Sequence, residues 1–244
     1  MLQLSDGPLV VGVADRAATL ADCAALPLTQ RPFDLVEARI DLFDGQALGQ
    51  DAAEACARLE SSGTPVLITI RSAAQGGRFE GPDTARLTLF QDALRVASWA
   101  DVEDDAPIAG DVAGLLTSRP NAQLIVSHHD FQRTPPLPDL LAVAARCQAV
   151  APGAIAKIAT RVRDDADRTV LRTLLARQPR RTAVIGMGDE AFRIELAAAG
   201  SVLAYGFVGA STAPGQTSAQ ALHGRLLAVS AAYAARRAVA ARAT

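Results

Sequence analysis

The chain has 244 residues, 50% of them hydrophobic, and a formal net charge of −2. Its arginines are scattered along a nearly neutral sequence, which argues against nucleic acid or an anionic membrane as the partner. No apolar run reaches the roughly 18 residues of a membrane span, and the first residues lack the basic-then-apolar order of a secretory signal. The composition therefore predicts a soluble, cytoplasmic globular protein.

The cysteines and histidines predict neither a disulfide framework nor a metal site. The three cysteines are odd in number and widely spaced, and they form no C-x-x-C pair. The three histidines, His128, His129 and His223, are too few and too dispersed for a metal cage. We therefore expect no metal.

Short β-like runs alternate with amphipathic helical stretches, and eight strands can be placed in chain order. The predicted strands cover residues 8–13, 34–41, 65–71, 97–103, 123–128, 154–159, 182–186 and 201–207. The clearest helices cover residues 16–30, 51–61, 84–96 and, at the end of the chain, 217–242. This alternation predicts an α/β fold: one (β/α)8 TIM barrel that forms a single domain over residues 1–244, with a doubly wound open sheet as the alternative.

A charged motif, Glu37-Ala38-Arg39-Ile40-Asp41, closes the second predicted strand. Side chains alternate along a strand, so Glu37, Arg39 and Asp41 share one face and the apolar residues share the other. With the apolar face against the helices, the three charges point into the barrel mouth, where barrel active sites form. A structural layer of ion pairs and a binding site explain this pattern equally well.

Arg71 closes the third predicted strand and leads into a glycine-rich loop over residues 72–81. Such a loop is usually an ordinary turn. A phosphate cradle is the alternative, but neither G-x-x-x-x-G-K-[ST] nor G-x-G-x-x-G is present.

The fifth predicted strand ends at two adjacent histidines, His128 and His129. If the strand continues through them, they face opposite sides, so at most one points into the mouth. A histidine there is suited to moving protons near neutral pH. We interpret the other one, like His223 in the final helix, as a surface or capping residue.

Lys157, in the sixth predicted strand, is the only lysine among the 24 lysine and arginine residues. Arginine replaces lysine readily as a solvated charge, but it cannot form a Schiff base with a carbonyl group. The neighbours of Lys157 are apolar, so it does not lie where a solubilising residue would. We favour a catalytic amine, with a buried pair to an acid as the alternative.

The connections after the last two predicted strands carry Arg193 and a loop of small residues, 209–216. Small residues let backbone N–H groups approach an anion, in a region where barrels commonly bind one. With Arg193, the loop suggests a grip for a carboxylate or phosphate. By itself, such a loop is more often an ordinary turn.

Five segments in order resemble the type I 3-dehydroquinate dehydratases, the Schiff-base-forming dehydratases of the shikimate and quinate pathways. The matching segments are residues 37–41, 70–72 with 76–77, 126–131, 156–159 and 213–216. They run from the second strand to the last helix, so the resemblance covers nearly the whole chain. The family implies a (β/α)8 barrel, the substrate 3-dehydroquinate, no metal or organic cofactor, and a homodimer.

The resemblance also implies a role for individual residues. Lys157 matches the lysine that forms an imine with the C3 ketone, which makes the neighbouring C2 proton removable. His129 matches the histidine that assists imine formation, removes that proton and protonates the departing C1 hydroxyl. The residues that match substrate contacts are Glu37, Arg39 and Arg71 for the ring hydroxyls and Arg193, Thr212 and Gln216 for the carboxylate.

The chain departs from the family pattern at two places. Gln75 stands where the family usually has a glutamate that orients the catalytic histidine and favours its charged form. An amide cannot stabilise an imidazolium as a carboxylate does, so we predict a lower pKa for His129 and weaker proton transfer. Few residues precede the first strand, so we also expect the barrel to lack the full N-terminal hairpin of the family.

Two alternatives remain open at this point. Another Schiff-base barrel, such as a class I aldolase, would also use Lys157, but the arginine-rich mouth and the 213–216 loop argue against it. A catalytically weakened relative would bind a cyclohexane carboxylate as a sensor or scaffold, and Gln75 is the only feature that favours it.

Overall fold

The computed structural model describes residues 7–119, 121–178, 181–213 and 215–242, and within them strands alternate with helices. The strands are β1 (Leu9–Ala14), β2 (Leu35–Arg39), β3 (Val66–Thr69), β4 (Trp99–Glu103), β5 (Gln123–Asp130), β6 (Ile155–Arg161), β7 (Thr182–Met187) and β8 (Leu203–Phe207). The α-helices are α1 (Ala17–Ala25), α2 (Gln50–Ser61), α3 (Asp83–Ala93), α4 (Ala109–Leu116), α5 (Leu137–Ala149), α6 (Asp165–Arg177), α7 (Glu190–Ala198), α8 (Ala219–Val229) and α9 (Ala231–Arg242).

The eight strands are parallel and follow the order β7-β6-β5-β4-β3-β2-β1-β8 in one sheet. The two end strands meet at a seam. There, Val202 N donates to Thr182 O over 3.1 Å. The Ser201 hydroxyl oxygen accepts from Val184 N over 2.9 Å. The sheet is therefore a nearly closed barrel, which confirms the predicted (β/α)8 fold and rules out the open sheet.

Alternation along the strands divides the barrel interior into two zones. Toward the N-terminal ends of the strands the interior is an apolar cluster: Leu9, Val11, Leu35, Leu67, Trp99, Ile125, Ile155, Ala183, Val202 and Leu203. The next inward positions are charged, as with Glu37 after Leu35 and Lys157 after Ile155. The outward faces of the strands pack against the helices in a second, larger core. The polar mouth therefore lies directly above an apolar layer.

Six strands end one or two residues from the predicted positions, and at β2, β3 and β6 the difference concerns a charged residue. β2 ends at Arg39, and Asp41 lies in a short 3₁₀ helix, Ile40–Leu42, instead of in the strand. β3 ends at Thr69, so Arg71 lies in the connection after the strand instead of closing it. β6 continues to Arg161, two residues beyond its predicted end, so Lys157 lies near the middle of the strand.

Three predicted helices also differ from expectation, and one of them, α3, ends at Ala93 instead of Val96. α1 ends at Ala25, because the next residue precedes Pro27 and is held in an extended conformation. The predicted closing helix is two helices, α8 and α9, which meet at the extended residue Ser230. The Ser230 hydroxyl oxygen accepts from Tyr233 N over 3.3 Å, so Ser230 caps the N-terminus of α9. No helix in the described ranges is long and apolar enough to cross a membrane.

α9 packs across the starting ends of β1 and β2. Arg236 and Arg237 both donate to the Asp34 carboxylate, over 2.7 and 3.2 Å. The same carboxylate accepts from Val10 N over 2.7 Å. The last helix is therefore fixed to the N-terminal edge of the barrel by charge-assisted hydrogen bonds.

Two predictions about the chain ends concern residues outside the described ranges. The expected lack of an N-terminal hairpin concerns residues 1–6. The domain limits of 1–244 also include residues 243–244. Both stay predictions.

Candidate active site

One pocket opens at the C-terminal ends of the strands. Its lining includes all nine predicted site residues: Glu37, Arg39, Arg71, Gln75, His129, Lys157, Arg193, Thr212 and Gln216. They lie on β2, β5 and β6, on α7, and in the connections after β3 and β8. The closed barrel, rather than local sequence, brings them together.

Lys157 reaches the pocket from the inward face of β6, and 7% of its side chain is exposed. Its Nζ donates to Asp101 Oδ2 over 2.8 Å. Nζ also lies over the ring of Tyr205, 4.3 Å from the ring centre. The buried ion pair considered as an alternative is thus present, but it borders a pocket instead of filling a closed core.

Asp101, a carboxylate that sequence reasoning missed, is the partner of this amine. Its Oδ1 accepts from Arg71 Nη2 over 2.7 Å and from the Ser127 hydroxyl over 2.5 Å. Burial alone would raise the pKa of Asp101, but the charges of Arg71 and Lys157 outweigh it and hold the pKa well below its usual range. Asp101 is therefore a permanent counter-ion to the amine.

Glu103, two residues further along β4, is a second inward carboxylate that was missed. It accepts from Arg86 Nη2 and from Ser72 N, and it lies 3.2 Å from Arg71 Nη1. Burial alone would lower the pKa of Arg71, but Asp101 and Glu103 raise it above its usual value. The available signal was the two-residue spacing, which puts both carboxylates on the face of β4 that meets Arg71.

Two of the three β2 charges point into the mouth as predicted. Glu37 accepts from the Thr69 hydroxyl over 2.7 Å. The prediction was wrong for Asp41, because the chain turns after Arg39. From that turn, the Asp41 carboxylate accepts from Arg39 Nε and Nη2 over 2.9 and 2.8 Å. It also accepts from Arg78 N over 3.2 Å. Asp41 therefore holds Arg39 and the glycine-rich loop from the side of the pocket.

His129 points into the pocket, and its neighbour His128 faces away, as alternation requires. The His129 ring stacks on Phe131 with centroids 6.1 Å apart, and its Nδ1 lies 3.1 Å from Gln75 Oε1. Burial, together with the charge of Arg71, holds the pKa of His129 well below its usual 6.5. The ring is therefore neutral at pH 7 and can accept a proton.

His128 lies on the outer face of β5 in opposite surroundings. Its Nδ1 is 3.1 Å from Asp104 Oδ1, and Asp104 Oδ2 accepts from Arg146 over 2.9 Å. The hydrogen bond to Asp104 raises the pKa of His128. This histidine belongs to a structural ion pair, in agreement with its interpretation as a surface residue.

The predicted carboxylate grip lines the pocket on the side of α7 and the last loop. Arg193 lies within α7 instead of in the preceding loop, and its Nε donates to Gly186 O over 3.2 Å. Burial lowers the pKa of Arg193 to about 10, which still leaves it charged at pH 7. Gln216 Oε1 accepts from the backbone N and the hydroxyl of Thr212 over 2.9 and 3.1 Å. The loop is thereby closed on itself; Pro214 lies outside the described residues.

Tyr205 on β8 is a further pocket residue that sequence reasoning missed. Its inward position follows from strand alternation. Its hydroxyl is buried and has no hydrogen-bond partner among the residues that the structure describes. Burial raises the pKa of Tyr205 well above its usual 10, so the ring beside Lys157 carries a neutral phenol.

Neither metal-binding clusters nor reactive thiols occur in the described part of the chain. It contains no group of three His, Cys, Asp or Glu side chains placed to hold a metal ion. The three cysteines are buried, and burial raises the pKa of each to about 12. That the reaction needs no cofactor stays a prediction.

The fold and the pocket define a class: (β/α)8 barrels with a buried lysine, a neutral histidine and several charged side chains at the C-terminal mouth. The model of the family described as Type I 3-dehydroquinase matches residues 10–231. The chain belongs to this family, which confirms the predicted resemblance.

Two similar proteins are the 3-dehydroquinate dehydratases of Pyrobaculum aerophilum and Methanocella arvoryzae. The chain is 34% identical to the first over 205 residues, 82% of this chain and 65% of the relative. It is 36% identical to the second over 187 residues, 75% of this chain and 81% of the relative. The chain thus spans just under two thirds of the Pyrobaculum protein. Both relatives are enzymes of the predicted kind.

Solved structures show the same fold. The 3-dehydroquinate dehydratase of Aquifex aeolicus superposes with a TM-score of 0.77 at 24% identity, covering 90% of this chain and 98% of that one. The enzyme of Enterococcus faecalis superposes with a TM-score of 0.75 at 22% identity, covering 92% and 95%. At these identities the likeness concerns the barrel itself.

Proposed function

We propose that the protein dehydrates 3-dehydroquinate to 3-dehydroshikimate through an imine on Lys157, with His129 as general acid and base. The observation that carries the proposal is the only lysine of the chain, buried at the pocket beside the Asp101 carboxylate. Family membership suggests the substrate.

Imine formation requires the Lys157 amine to lose a proton before it attacks the C3 ketone. His129 is the better base for this step, because its ring is neutral, whereas the pKa of Asp101 is held too low to retain a proton. His129 then returns this proton to the former ketone oxygen, which leaves as water as the C=N bond forms, so the ring is neutral again. The protonated imine keeps a positive charge beside Asp101, which stabilises it.

The protonated imine then acts as an electron sink for the elimination. His129 removes the C2 proton, and the electron pair forms an enamine. The enamine expels the C1 hydroxyl, which takes the proton back from His129 and departs as water. One histidine serves both atoms from one face of the ring, which is a syn elimination. Hydrolysis of the product imine returns the Lys157 amine.

Charged and polar side chains would orient the substrate over the amine. We assign the ring hydroxyls to Glu37, Arg39 and Arg71, and the carboxylate to Arg193, Thr212 and Gln216. Because Arg71 already bonds to Asp101 and Ser127, it also fixes the counter-ion of the amine. Such charge-assisted contacts hold the reacting atoms in place during both steps.

One observation favours a second candidate function. The Nδ1 atom of His129 meets the amide of Gln75 instead of a carboxylate. A weakened relative would bind a cyclohexane carboxylate, or form the imine, without eliminating water.

The test is reduction of the protein with borohydride in the presence of 3-dehydroquinate, while the enone absorbance of the product is followed. We expect both the absorbance and a reduced adduct on the peptide that contains Lys157. Lys157→Met should give neither. An adduct without absorbance would support the weakened relative, and the absence of both signals would contradict the proposed reaction. Another carbonyl substrate that gives an adduct and C–C cleavage would point to an aldolase.

The cytoplasmic location, the homodimer and the choice between the shikimate and quinate pathways stay predictions. The chemistry is the same in both pathways, so the site favours neither. Sedimentation of the purified protein tests the dimer directly.

A further inference from the structure

A hydrogen-bonded chain connects His129 to a carboxylate that does not line the pocket. Gln75 ends a short 3₁₀ helix, Ala73–Gln75, and its side chain is buried. Its Oε1 lies 3.1 Å from His129 Nδ1, and its Nε2 donates to Asp105 Oδ1 over 2.8 Å. Asp105 follows β4 and is exposed to solvent.

Two fixed partners determine which way the Gln75 amide points. The backbone N–H of His129 can only donate, and it meets Oε1 at 3.1 Å. The Asp105 carboxylate can only accept, and it meets Nε2. A reversed amide would set donor against donor at one end and acceptor against acceptor at the other. The carbonyl end of Gln75 is therefore held toward the imidazole.

A carbonyl oxygen at Nδ1 fixes the tautomer of the neutral His129 ring. Because Gln75 Oε1 carries no hydrogen, Nδ1 must carry the proton that forms this bond. The proton-free nitrogen is then Nε2. A base that acts in the pocket through Nε2 is available only in this tautomer.

We propose that Asp105 is a positioning residue for His129 and acts on it through Gln75. The inference rests on the proposed function for the use of His129 as a base, whereas the contacts themselves do not depend on it. In the family pattern a glutamate contacts the histidine directly. Here the Gln75 amide occupies that position, and the carboxylate of Asp105 lies behind it.

Through the Gln75 amide, Asp105 influences the orientation and tautomer of the His129 ring more than its charge state. The hydrogen bond from Gln75 Nε2 to a carboxylate is charge-assisted, and it polarises the amide so that Oε1 becomes a stronger acceptor. The charge of Asp105 itself is screened, because the residue is exposed. Asp105 therefore selects the tautomer of His129 without favouring its charged form as strongly as a direct carboxylate would.

The preceding residue offers a matched control. Asp104 is also an aspartate after β4, but its carboxylate contacts His128 and Arg146 on the outside of the barrel. A change at Asp104 alters the local charge by the same amount without touching the Gln75 amide.

The first experiment reads the tautomer by nitrogen-15 NMR of the imidazoles, with no substrate present. The chain has three histidines, so the ring signals can be assigned by single substitutions. We expect His129 to be protonated on Nδ1 in the wild type and in Asp104→Ala. In Asp105→Ala the Gln75 amide loses one of its two fixed partners, and we expect a mixture of tautomers. Asp105→Asn keeps an acceptor for Nε2 and should retain the wild-type tautomer.

The second experiment exchanges the amide and the carboxylate between positions 75 and 105. In Gln75→Glu two carboxylates face each other at the position of the present 2.8 Å contact, which is unfavourable. In the double variant Gln75→Glu with Asp105→Asn, the new amide donates to the new carboxylate, and the carboxylate accepts from Nδ1. We expect the double variant to exceed Gln75→Glu in kcat and to shift the acid limb of the pH–rate profile upward relative to the wild type.

Kinetics on 3-dehydroquinate complete the test. We expect Asp105→Ala to lower kcat roughly tenfold with little change in KM, because general acid–base catalysis loses part of its base population. Asp104→Ala should stay near the wild-type value. An unchanged tautomer in Asp105→Ala, or Gln75→Glu activity that is indifferent to Asp105→Asn, overturns the inference. If the tautomer of His129 depends on Asp105 but the wild-type protein does not turn over 3-dehydroquinate, the proposed function is refuted and the inference stands.

Discussion

The two histidines of β5 are chain neighbours in opposite surroundings. His128, on the outer face, meets the carboxylate of Asp104, which raises its pKa. His129, on the inner face, is buried near Arg71 and meets the amide of Gln75, and its pKa is lowered. Alternation along the strand separates the two rings. Placement relative to the barrel wall therefore keeps the ring of one histidine neutral and makes the other an ion-pair partner.

The difference between the two histidines should be largest in the activity of variants in which each is replaced by glutamine. We expect His129→Gln to reduce kcat/KM on 3-dehydroquinate by about 10²- to 10⁴-fold, the range for a general acid or base. His128→Gln should change it little, because its ring contacts Asp104 outside the pocket. Steady-state assays of both variants test this. Equal losses in both would contradict the division of roles.

The next largest difference is expected in the unfolding free energy of variants at Asp101, inside the barrel, and Asp104, outside it. Asp101→Asn leaves the buried amine of Lys157 without its carboxylate partner and Arg71 with Glu103 alone, and a loss of about 3–5 kcal/mol in unfolding free energy is expected. Asp104→Asn weakens the pairs with His128 and Arg146, whose side chains are 24% and 58% exposed, and should cost less, about 1 kcal/mol. Urea unfolding measures both. A similar loss in the two variants would show that the inner network is no more critical than the outer pair.

The opposite pKa shifts predict opposite pH dependence of stability. The pKa of His129 is lowered by folding, so the unfolded chain takes up a proton first as pH falls through the usual 6.5, and stability is lost. The pKa of His128 is raised, so its contribution is present below 6.5 and is lost as pH rises through the raised value.

Urea titrations on the two sides of pH 6.5 separate these contributions. Relative to the wild type, His129→Gln should become more stable toward low pH, and His128→Gln should become less stable there. Slopes of the same sign would contradict the assigned protonation states.

The smallest effect on stability is expected for a substitution at Tyr205, which lies beside Lys157 in the pocket. Its buried hydroxyl has no hydrogen-bond partner in the described residues, while its ring covers Lys157. Tyr205→Phe keeps the ring, and the unfolding free energy should stay unchanged or rise by up to about 1 kcal/mol. Thermal unfolding with and without substrate provides the measurement. Destabilisation seen only with substrate would instead give the hydroxyl a contact with the substrate.

Local pattern was sufficient to predict much of the fold and of the pocket lining. The period of two predicted that at most one of His128 and His129 points inward, the resemblance identified it as His129, and the β/α alternation predicted the barrel. Composition singled out Lys157, and the loop after β8 was found from its small residues. These features need only neighbouring positions in the chain.

Contacts between distant residues were missed, because they depend on strand register. Asp101 meets Lys157 only because β4, β5 and β6 pair in one particular register. Asp105 meets Gln75 across two loops. The helix break at Ser230 was missed because the surrounding alanine-rich sequence has uniformly high helix propensity.

The central claim is that the amine of Lys157 forms a covalent imine with 3-dehydroquinate. The most direct measurement is peptide mass spectrometry after borohydride reduction during turnover. Since the chain has one lysine, a reduced lysine adduct can lie only at Lys157. We predict the adduct on that peptide, with loss of both adduct and enone formation in Lys157→Met. Enone formation with Lys157 unmodified at every time point would contradict the claim.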